Sequence, residues 1–447
     1  MTRAKDMKTS SRYDACVVGG AGHVGAPLAI LLAKTGLRVL IHDVNRRAMD
    51  RIAEGELPFM ERGGTELLQQ ALESGLLSFS TDPADVANIH HVVVTIGTPV
   101  DEFQNPELRA VTRCVDALIP FLTDDQTLIL RSTVFPGVTE FLGRYLEARG
   151  RRPRIAFCPE RVVQGLAIEE MQALPQIVSG LTPEAEDSGA ELFSRFAPKI
   201  VRMVVMEAEF AKLFANAYRY LQFAAANQFY MMVDAVGLDC HRLMRALKED
   251  YPRLQDLPTP GLAAGPCLYK DTLQLAAFAK NQFALGYAAL QINEGMPAYI
   301  VSRLAANYPL DKMTVGLLGM AFKAESDDMR ASLSYKLKKL LQMVAGNVVT
   351  ADPFVNDDRE LVPVDEVIAA SDVLVLCVPH QAYRNLDLRG RAVLDIWGFY
   401  DGAGAPRTAS RFVADSTSLL ESAGRRLVDE DNTSEIPVRV FFPSSAR

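Results

Sequence analysis

The sequence lacks the features that mark membrane, secreted and nucleic-acid-binding proteins. None of its 447 residues belongs to an apolar run long enough to cross a bilayer. The polar start, MTRAKDMKTSSR, has no apolar stretch of the kind found in secretory signals. The net charge is −8 and the basic residues are dispersed, which argues against nucleic acid as a partner. We therefore expect a cytoplasmic protein without a membrane segment.

Cysteine is scarce and scattered. The six cysteines show no Cys-x-x-Cys spacing, so the sequence offers no zinc site and fits a reducing compartment. Apolar residues, in contrast, make up 49% of the chain, which is enough for more than one core. The length predicts two or three domains.

A dinucleotide-binding fingerprint follows the first apolar strand, predicted over residues 13–18. Its motif spans six residues, Gly20-Ala21-Gly22-His23-Val24-Gly25. In such motifs the first glycine allows the tight turn and the second lets a pyrophosphate approach the backbone. The third lets helix and strand pack closely. His23 is expected only to cover the cofactor.

Asp43 ends the second strand, predicted over residues 37–42. A carboxylate in this place hydrogen-bonds the ribose 2′-OH and repels a 2′-phosphate, so NAD is favoured over NADP. Arg46 and Arg47 weaken that preference, because a nearby arginine can accept the phosphate.

Further strands are predicted over residues 91–96, 127–130 and 155–157, and the loops after them should meet at one cleft. We expect the cleft to be lined by three hydroxyls and one carboxylate from these loops: Thr98, Ser132, Thr133 and Glu160. Pro99 follows Thr98 in the first loop. The carboxylate could position a water or bind a ribose. For each hydroxyl, turn formation or helix capping is an open alternative. The adjacent pair His90-His91 is expected to be solvated.

A long helix is predicted over residues 207–236. Lys212 and Asn216 lie one turn apart on it, so a lysine facing the cleft could transfer a proton or stabilise an alkoxide. The alternative is that both lie on a solvated face. We expect the aromatic and methionine stripe of the helix to pack within the chain, and a helix of this length often carries a subunit interface.

Cys267 lies in a loop of small residues before Lys270 and Asp271. A neighbouring ammonium stabilises a thiolate, which is the nucleophilic form. With a hydride acceptor in the same chain, such a cysteine suggests oxidation through a covalent thioester. The alternative is a small buried hydrophobe.

A second doubly wound unit is predicted from strands over residues 312–318, 347–351, 372–378 and 391–396, with a helix that Asp327-Asp328-Met329-Arg330 opens. Lys323 and Arg330 are its candidate anion ligands, unless they are ordinary surface charges. From Asp401 onward the pattern decays into a weakly ordered tail, with one short helix near residues 418–423 and an apolar segment at 438–442.

These elements predict an α/β protein with two Rossmann-like doubly wound parallel-sheet domains joined by a long central helix. We expect an NAD-binding domain at residues 12–205, a helical, dimerisation and catalytic-cysteine region at 206–305, a domain at 306–402 that binds the nucleotide of the other substrate, and a weakly ordered tail at 403–447.

The sequence resembles the nucleotide-sugar 6-dehydrogenases, the family of the UDP-glucose and UDP-N-acetylmannosamine dehydrogenases. Eight segments within residues 13–400 carry the resemblance, in order: GGAGHVG, GTP, STVFPG, CPERVVQG, AEFAKLFANAYR, AAGPCLYKD, LGMAFKAESDDMR and Asp352-Pro353. The resemblance implies a homodimer or higher homo-oligomer that oxidises C6 of a UDP-sugar twice with NAD.

The resemblance also implies the role of each residue. Cys267 would form a thiohemiacetal and then a thioester, Lys212 would aid proton transfer, and Asn216 would hold the C6 oxygen. Asp271, Thr133 and Glu160 would orient water. Arg161, Arg253, Gly261 and Lys323 would contact the UDP-sugar, and the glycine motif, Thr98, Pro99, Ser132 and Arg330 the cofactor.

Several residues depart from the family pattern. Cys-Pro-Glu-Arg at Arg161 looks more like the N-acetylhexosamine branch, whereas Lys270-Asp271 retains the glucose branch. Trp397 stands where a smaller or basic residue is usual. We therefore expect a UDP-N-acetylhexosamine such as UDP-ManNAc or UDP-GlcNAc as substrate, with UDP-glucose as the alternative. Alternatives of other kinds are a two-electron hydroxyacid dehydrogenase and an inactive NAD-binding module.

Overall fold

The computed structural model describes residues 12–101 and 106–400. The expected leader, the short helix near residues 418–423 and the apolar segment at 438–442 lie outside this part of the chain. No helix within it is long and apolar enough to cross a membrane.

Eight strands form the first sheet, in the order β3-β2-β1-β4-β5-β6-β7-β8. Their bounds are β1 Ala15–Val18, β2 Val39–His42, β3 Leu77–Ser80, β4 His91–Val94, β5 Thr127–Leu130, β6 Arg154–Phe157, β7 Gln176–Gly180 and β8 Ile200–Arg202. The inner strands are apolar and buried because helices cover both faces of the sheet. This is the expected Rossmann-type arrangement.

Two expectations for this sheet are wrong, namely that it is purely parallel and that His90 and His91 are both solvated. β7 runs antiparallel to β6, since the seven-residue helix between them, about 10 Å long, does not return the chain to the other end of the sheet. His91 begins β4 and is buried, so the expectation that both histidines are solvated is wrong for His91. Burial lowers the pKa of His91 to about 4.

Seven helices pack around the first sheet: α1 Gly25–Lys34, α2 Arg46–Ala53, α3 Gly64–Glu73, α4 Leu108–Leu118, α5 Val138–Glu147, α6 Ala167–Ala173 and α7 Pro183–Phe193. The longest helix, α8 Val205–Ala235, then leads into α9 Cys240–Lys248, α10 Leu268–Phe278 and α11 Ala284–Asn307. Both α10 and α11 pack on α8, which places the segment that contains Cys267 beside the long helix.

The second sheet has the order β10-β9-β11-β12 and is parallel throughout, as expected. Its strands are β9 Thr314–Leu318, β10 Asn347–Ala351, β11 Val373–Leu376 and β12 Ala392–Leu394, and its helices are α12 Leu333–Gln342 and α13 Val364–Ala370. The expected helix start at Asp327 is wrong. Ser332 caps α12 through its side chain, and Ser326–Met329 instead form an irregular turn around the Asp328 carboxylate.

The outer face of α8 is apolar and exposed, which contradicts the expectation that its stripe packs within the chain. Phe210 packs against Phe278. Four others are exposed: Phe214, Tyr218, Phe229 and Met232.

Candidate active site

The glycine loop between β1 and α1 is built for close packing at two of its three motif glycines. A Cβ on Gly20 would lie 2.6 Å from the Val17 carbonyl oxygen, and one on Gly25 would lie 2.5 Å from that of Gly19. The left-handed turn, however, is made by Gly19, at φ +76°, and not by Gly20 as expected. A Cβ on Gly22 would only reach ordinary contact, 3.5 Å from Gly19. Packing within the chain therefore does not require glycine at position 22, whereas a close-lying pyrophosphate would.

Asp43 lies against this loop. One carboxylate oxygen accepts the Ala21 N–H at 3.0 Å and the other accepts the Asn45 N–H at 2.8 Å. The carboxylate thus fixes the glycine turn from the end of β2, where a ribose hydroxyl would arrive. The loop and this carboxylate together fit NAD.

His23 and Val24 complete the loop, with Val24 directly before α1. The His23 ring lies 4.2 Å from the Phe59 ring, and its Nδ1 lies 3.0 Å from the Gln164 side-chain nitrogen. Burial, and then Arg330, lower the pKa of His23 to about 4, so the imidazole is neutral at physiological pH. A neutral ring at this position adds no charge to the cofactor site.

Lys212 and Asn216 are both buried, so the alternative of a solvated face is wrong. The Asn216 side-chain nitrogen donates to the Asp271 carboxylate at 2.6 Å. The Lys212 ammonium lies 3.9 Å from the nearest carboxylate oxygen of Glu160. The long helix α8 is therefore joined by Asn216 to the segment that contains Cys267, and by Lys212 to the loop after β6.

Cys267 lies directly before the first turn of α10 and is exposed to solvent. Asp271 lies one turn further on, fully buried, and its backbone N–H donates to the Cys267 carbonyl at 2.9 Å. Desolvation and the Asp271 charge raise the pKa of the thiol, while Lys212 and Lys270 lower it. Although the residue as a whole is exposed, the protein packed around it desolvates the thiol, and together with the Asp271 charge this outweighs the expected ammonium effect on the pKa.

The loops after β4 and β5 carry the three predicted hydroxyls. The Thr98 hydroxyl donates to the Thr133 carbonyl at 2.5 Å, and that of Ser132 donates to the Ile96 carbonyl at 2.5 Å. Both bonds tie one loop to the other. Pro99 lines a small recess beside Thr98 together with Val134 and Gln274. Two of the hydroxyls thus join the β4 and β5 loops to each other, which is neither turn formation nor helix capping, the two local roles that were the open alternative.

The predicted substrate residues are not all brought to the cluster. Gly261 is buried at the start of the cysteine segment. The Lys323 ammonium lies beside the loop after β6, where a Cβ on Gly165 would be 3.9 Å from it. Arg161 donates to the Pro175 carbonyl. Arg253 lies exposed on a short 3-10 turn, and no contact described for it joins it to Cys267.

Arg330, predicted to contact the cofactor, pairs with Asp328 through contacts of 2.6–3.0 Å. The Asp328 hydrogen bonds raise the pKa of Arg330, and negative charge on Cys267 adds to that rise. Asp328 also accepts a hydrogen bond from Gln164 at 3.0 Å, which joins the second sheet domain to the loop that follows Glu160. Burial lowers the pKa of Lys323, the other predicted anion ligand.

Lys270 was not among the predicted site residues, although its position next to Asp271 in the sequence indicated it. The Lys270 ammonium lies 3.2 Å from both the Asp271 carboxylate and the Thr98 hydroxyl. These two contacts place Lys270 between the cysteine segment and the loop after β4.

The chain matches three domains in sequence order. These are the NAD binding domain of the UDP-glucose/GDP-mannose dehydrogenase family at residues 14–197, its central domain at 206–295 and its UDP binding domain at 316–402. The chain belongs to this family. It is accordingly an NAD-dependent nucleotide-sugar dehydrogenase, as the sequence motifs indicated.

Individual relatives carry different sugar names. An NDP-N-acetyl-D-galactosaminuronic acid dehydrogenase of Ralstonia nicotianae is 28% identical, over 86% of this chain and 95% of the relative. A UDP-D-ManNAc dehydrogenase structure from Pyrococcus horikoshii has a TM-score of 0.80 at 26% identity, covering 86% of this chain and 95% of its own. A UDP-glucose dehydrogenase structure from Pyrobaculum islandicum has the same TM-score of 0.80, at 27% identity, covering 92% of this chain and 96% of its own.

Proposed function

We propose that this family member oxidises C6 of a UDP-N-acetylhexosamine, such as UDP-ManNAc or UDP-GlcNAc, from alcohol to carboxylate through a covalent intermediate on Cys267. The observation that carries the proposal is the buried Asn216–Asp271 contact at 2.6 Å. It fixes the first turn of α10, and with it the thiol, against the helix that carries Lys212. Two relatives named for N-acetylated sugars support the choice of hexose.

The first oxidation turns the C6 alcohol into an aldehyde. NAD, when bound, accepts the hydride of each oxidation. In the proposal Asn216 orients the C6 oxygen and Lys212, buried beside Glu160, stabilises negative charge on that oxygen as its proton leaves. Thr98 and Ser132 brace the loops on the cofactor side.

The second oxidation needs the thiol. The Cys267 thiolate adds to the aldehyde carbon, and the carbonyl oxygen takes a proton to give a thiohemiacetal. Loss of the second hydride from C6, with that proton, leaves a thioester. The covalent bond retains the aldehyde between the oxidations.

Hydrolysis completes the reaction. Water adds to the thioester carbon and the C–S bond breaks, which returns the thiol and releases the uronic acid. We assign the orientation of this water to Glu160, Thr133 and Asp271. The Asp271 oxygen that does not accept from Asn216 lies 3.2 Å from the Lys270 ammonium, and a carboxylate oxygen has a second lone pair that can accept a hydrogen bond from water.

A substrate panel tests the choice of sugar. NADH formation is measured with UDP-GlcNAc, UDP-ManNAc, UDP-GalNAc and UDP-glucose at equal concentrations. The proposal expects the highest kcat/KM with an N-acetylated sugar. A clear preference for UDP-glucose would reject the N-acetylhexosamine and select the alternative that the retained Lys270-Asp271 pair favours.

We also infer a cytoplasmic homodimer or higher homo-oligomer. All six cysteines are unpaired, which fits a reducing compartment. The exposed apolar face of α8 supports a subunit interface, since Tyr218 is 64% exposed and Met232 61%. Light scattering after size-exclusion chromatography should give at least twice the monomer mass. Replacing Tyr218 and Met232 by glutamate should give a monomer, and a monomeric wild type would contradict the inference.

A further inference from the structure

Gly261 is held from two sides by side chains that belong to different parts of the chain. Its N–H donates to the side-chain oxygen of Asn227, on α8, at 2.8 Å. The Asn227 nitrogen in turn donates to Asn293, on α11, at 2.9 Å, and both asparagines are fully buried. The side that a Cβ would occupy is covered by Trp397, the single tryptophan of the chain.

The indole covers Gly261 closely. A Cβ on Gly261 would lie 2.3, 2.4 and 2.5 Å from three ring carbons of Trp397. The ring is fixed from its own domain, because its Nε1–H donates to the Cys377 carbonyl at 3.0 Å. Its backbone N–H donates to the Asp395 carboxylate at 3.0 Å. Glycine at 261 and tryptophan at 397 are therefore complementary shapes.

A second aromatic side chain of the same domain covers the next glycine of the segment. A Cβ on Gly265 would lie 2.5 Å from the Phe322 ring. Gly265 adopts φ +109°, which other residues rarely adopt, and its N–H donates to the Ala331 carbonyl at 3.3 Å. Cys267 follows two residues later. The segment that ends at the thiol is thus seated on the UDP-binding domain at both glycines.

We propose that Trp397 is a positioning residue that, together with Asn227, seats Gly261 and thereby sets the position of the Cys267 thiol. The inference rests on the proposed role of Cys267 as nucleophile. It gives a function to the tryptophan that departs from the family pattern. Because Trp397 belongs to the UDP-binding domain, the placement of that domain fixes the placement of the nucleophile.

The complementary shapes allow a double-mutant test. Gly261→Ala places a methyl group against the indole and Trp397→Ala removes the indole, so each single change should displace the segment. The double variant Gly261→Ala/Trp397→Ala relieves the clash. Gly143→Ala is the matched control. Its Cβ would also clash, at 2.8 Å from Leu181, but both residues belong to the NAD-binding domain and not to the cysteine segment.

The measured quantity is the rate of Cys267 alkylation by iodoacetamide in the full-length protein, followed by mass spectrometry of the peptide that contains it. A displaced segment takes the thiol out of surroundings that on balance raise its pKa, the Asp271 carboxylate among them, so Gly261→Ala should alkylate at least about threefold faster. Trp397→Ala should behave likewise. Trp397→Phe, which keeps an aromatic ring, should alkylate at a rate closer to the wild type than Trp397→Ala does. The double variant should alkylate at a rate closer to the wild type than Gly261→Ala does.

Wild-type alkylation in Gly261→Ala, or a double variant no closer to wild type than Gly261→Ala, would overturn the proposal. Urea unfolding of each variant identifies any that fails to fold; should Trp397→Ala fail, Trp397→Leu replaces it in the cycle. Alkylation needs no substrate, so this outcome is independent of whether two NADH form per sugar. A protein that makes one NADH but shows the expected cycle would refute the proposed function and keep the positioning role.

Discussion

Asp271→Asn should make the Cys267 thiol more acidic even though it damages catalysis. The Asp271 charge ranks directly after desolvation among the causes that raise the pKa of the thiol. Removing that charge also frees the Lys270 ammonium, which lies 3.2 Å from the carboxylate and itself lowers the thiol pKa. Both consequences have the same sign.

The geometry bounds the size of the effect. Side chains one helical turn apart are about 6 Å from each other. Two unit charges at that distance interact by about 0.7 kcal/mol in water and about 2.8 kcal/mol at an effective dielectric constant of 20. The thiol pKa should therefore fall by about 0.5 to 2 units, and the exposure of Cys267 favours the lower value. Since a more acidic thiolate is also a weaker nucleophile, alkylation near neutral pH should become about two- to tenfold faster.

The assay is the pH profile of iodoacetamide alkylation at Cys267, from pH 6 to pH 10. Asp271→Asn should shift the midpoint to lower pH, and Lys270→Met should shift it to higher pH. Asp256→Asn, at an exposed loop residue, serves as the control and should leave it unchanged. An unshifted or raised midpoint in Asp271→Asn would refute the electrostatic account of this thiol.

Three further outcomes follow from the contacts of the site. Asn216→Ala leaves a buried Asp271 oxygen without its donor, so urea unfolding should show a loss of about 1–3 kcal/mol, and kcat should fall about 10²-fold or more; unchanged stability would contradict the contact. Asp43→Asn replaces the carboxylate that accepts the Ala21 N–H by a neutral amide. It should raise the KM for NAD about tenfold and reduce the preference for NAD over NADP. Glu160→Gln should slow thioester hydrolysis about 10²-fold, so that intact-protein mass spectrometry finds a sugar adduct on Cys267; an adduct-free variant with normal kcat would remove Glu160 from this step.

The local signals in the sequence were sufficient for most of the architecture. Both β5, at Thr127–Leu130, and β11, at Val373–Leu376, lie where the apolar runs predicted them, because strands buried on two faces are largely apolar. Three strands of the first sheet, β3, β7 and β8, escaped prediction. Each is less buried or more polar than the inner strands, and the antiparallel direction of β7 depends on how the preceding helix packs, which no local pattern records.

The site was predictable as a set of residues but not as a set of contacts. The spacing of Lys212 and Asn216 placed them on one face, yet only the packing of α10 on α8 buries both and supplies Asp271 as a partner. The loop at residues 261–267 showed a thiol next to a lysine and an acid. The indole that covers Gly261 belongs to Trp397, more than a hundred positions further along the chain, so no local pattern indicates it.

The ratio of NADH formed to UDP-sugar consumed distinguishes a four-electron from a two-electron oxidation. Two NADH should form for each uronic acid that the wild type releases. Cys267→Ser should turn over very slowly or stop after the first oxidation. One NADH per sugar with release of free aldehyde, or full activity in Cys267→Ser, would contradict a covalent four-electron oxidation on Cys267.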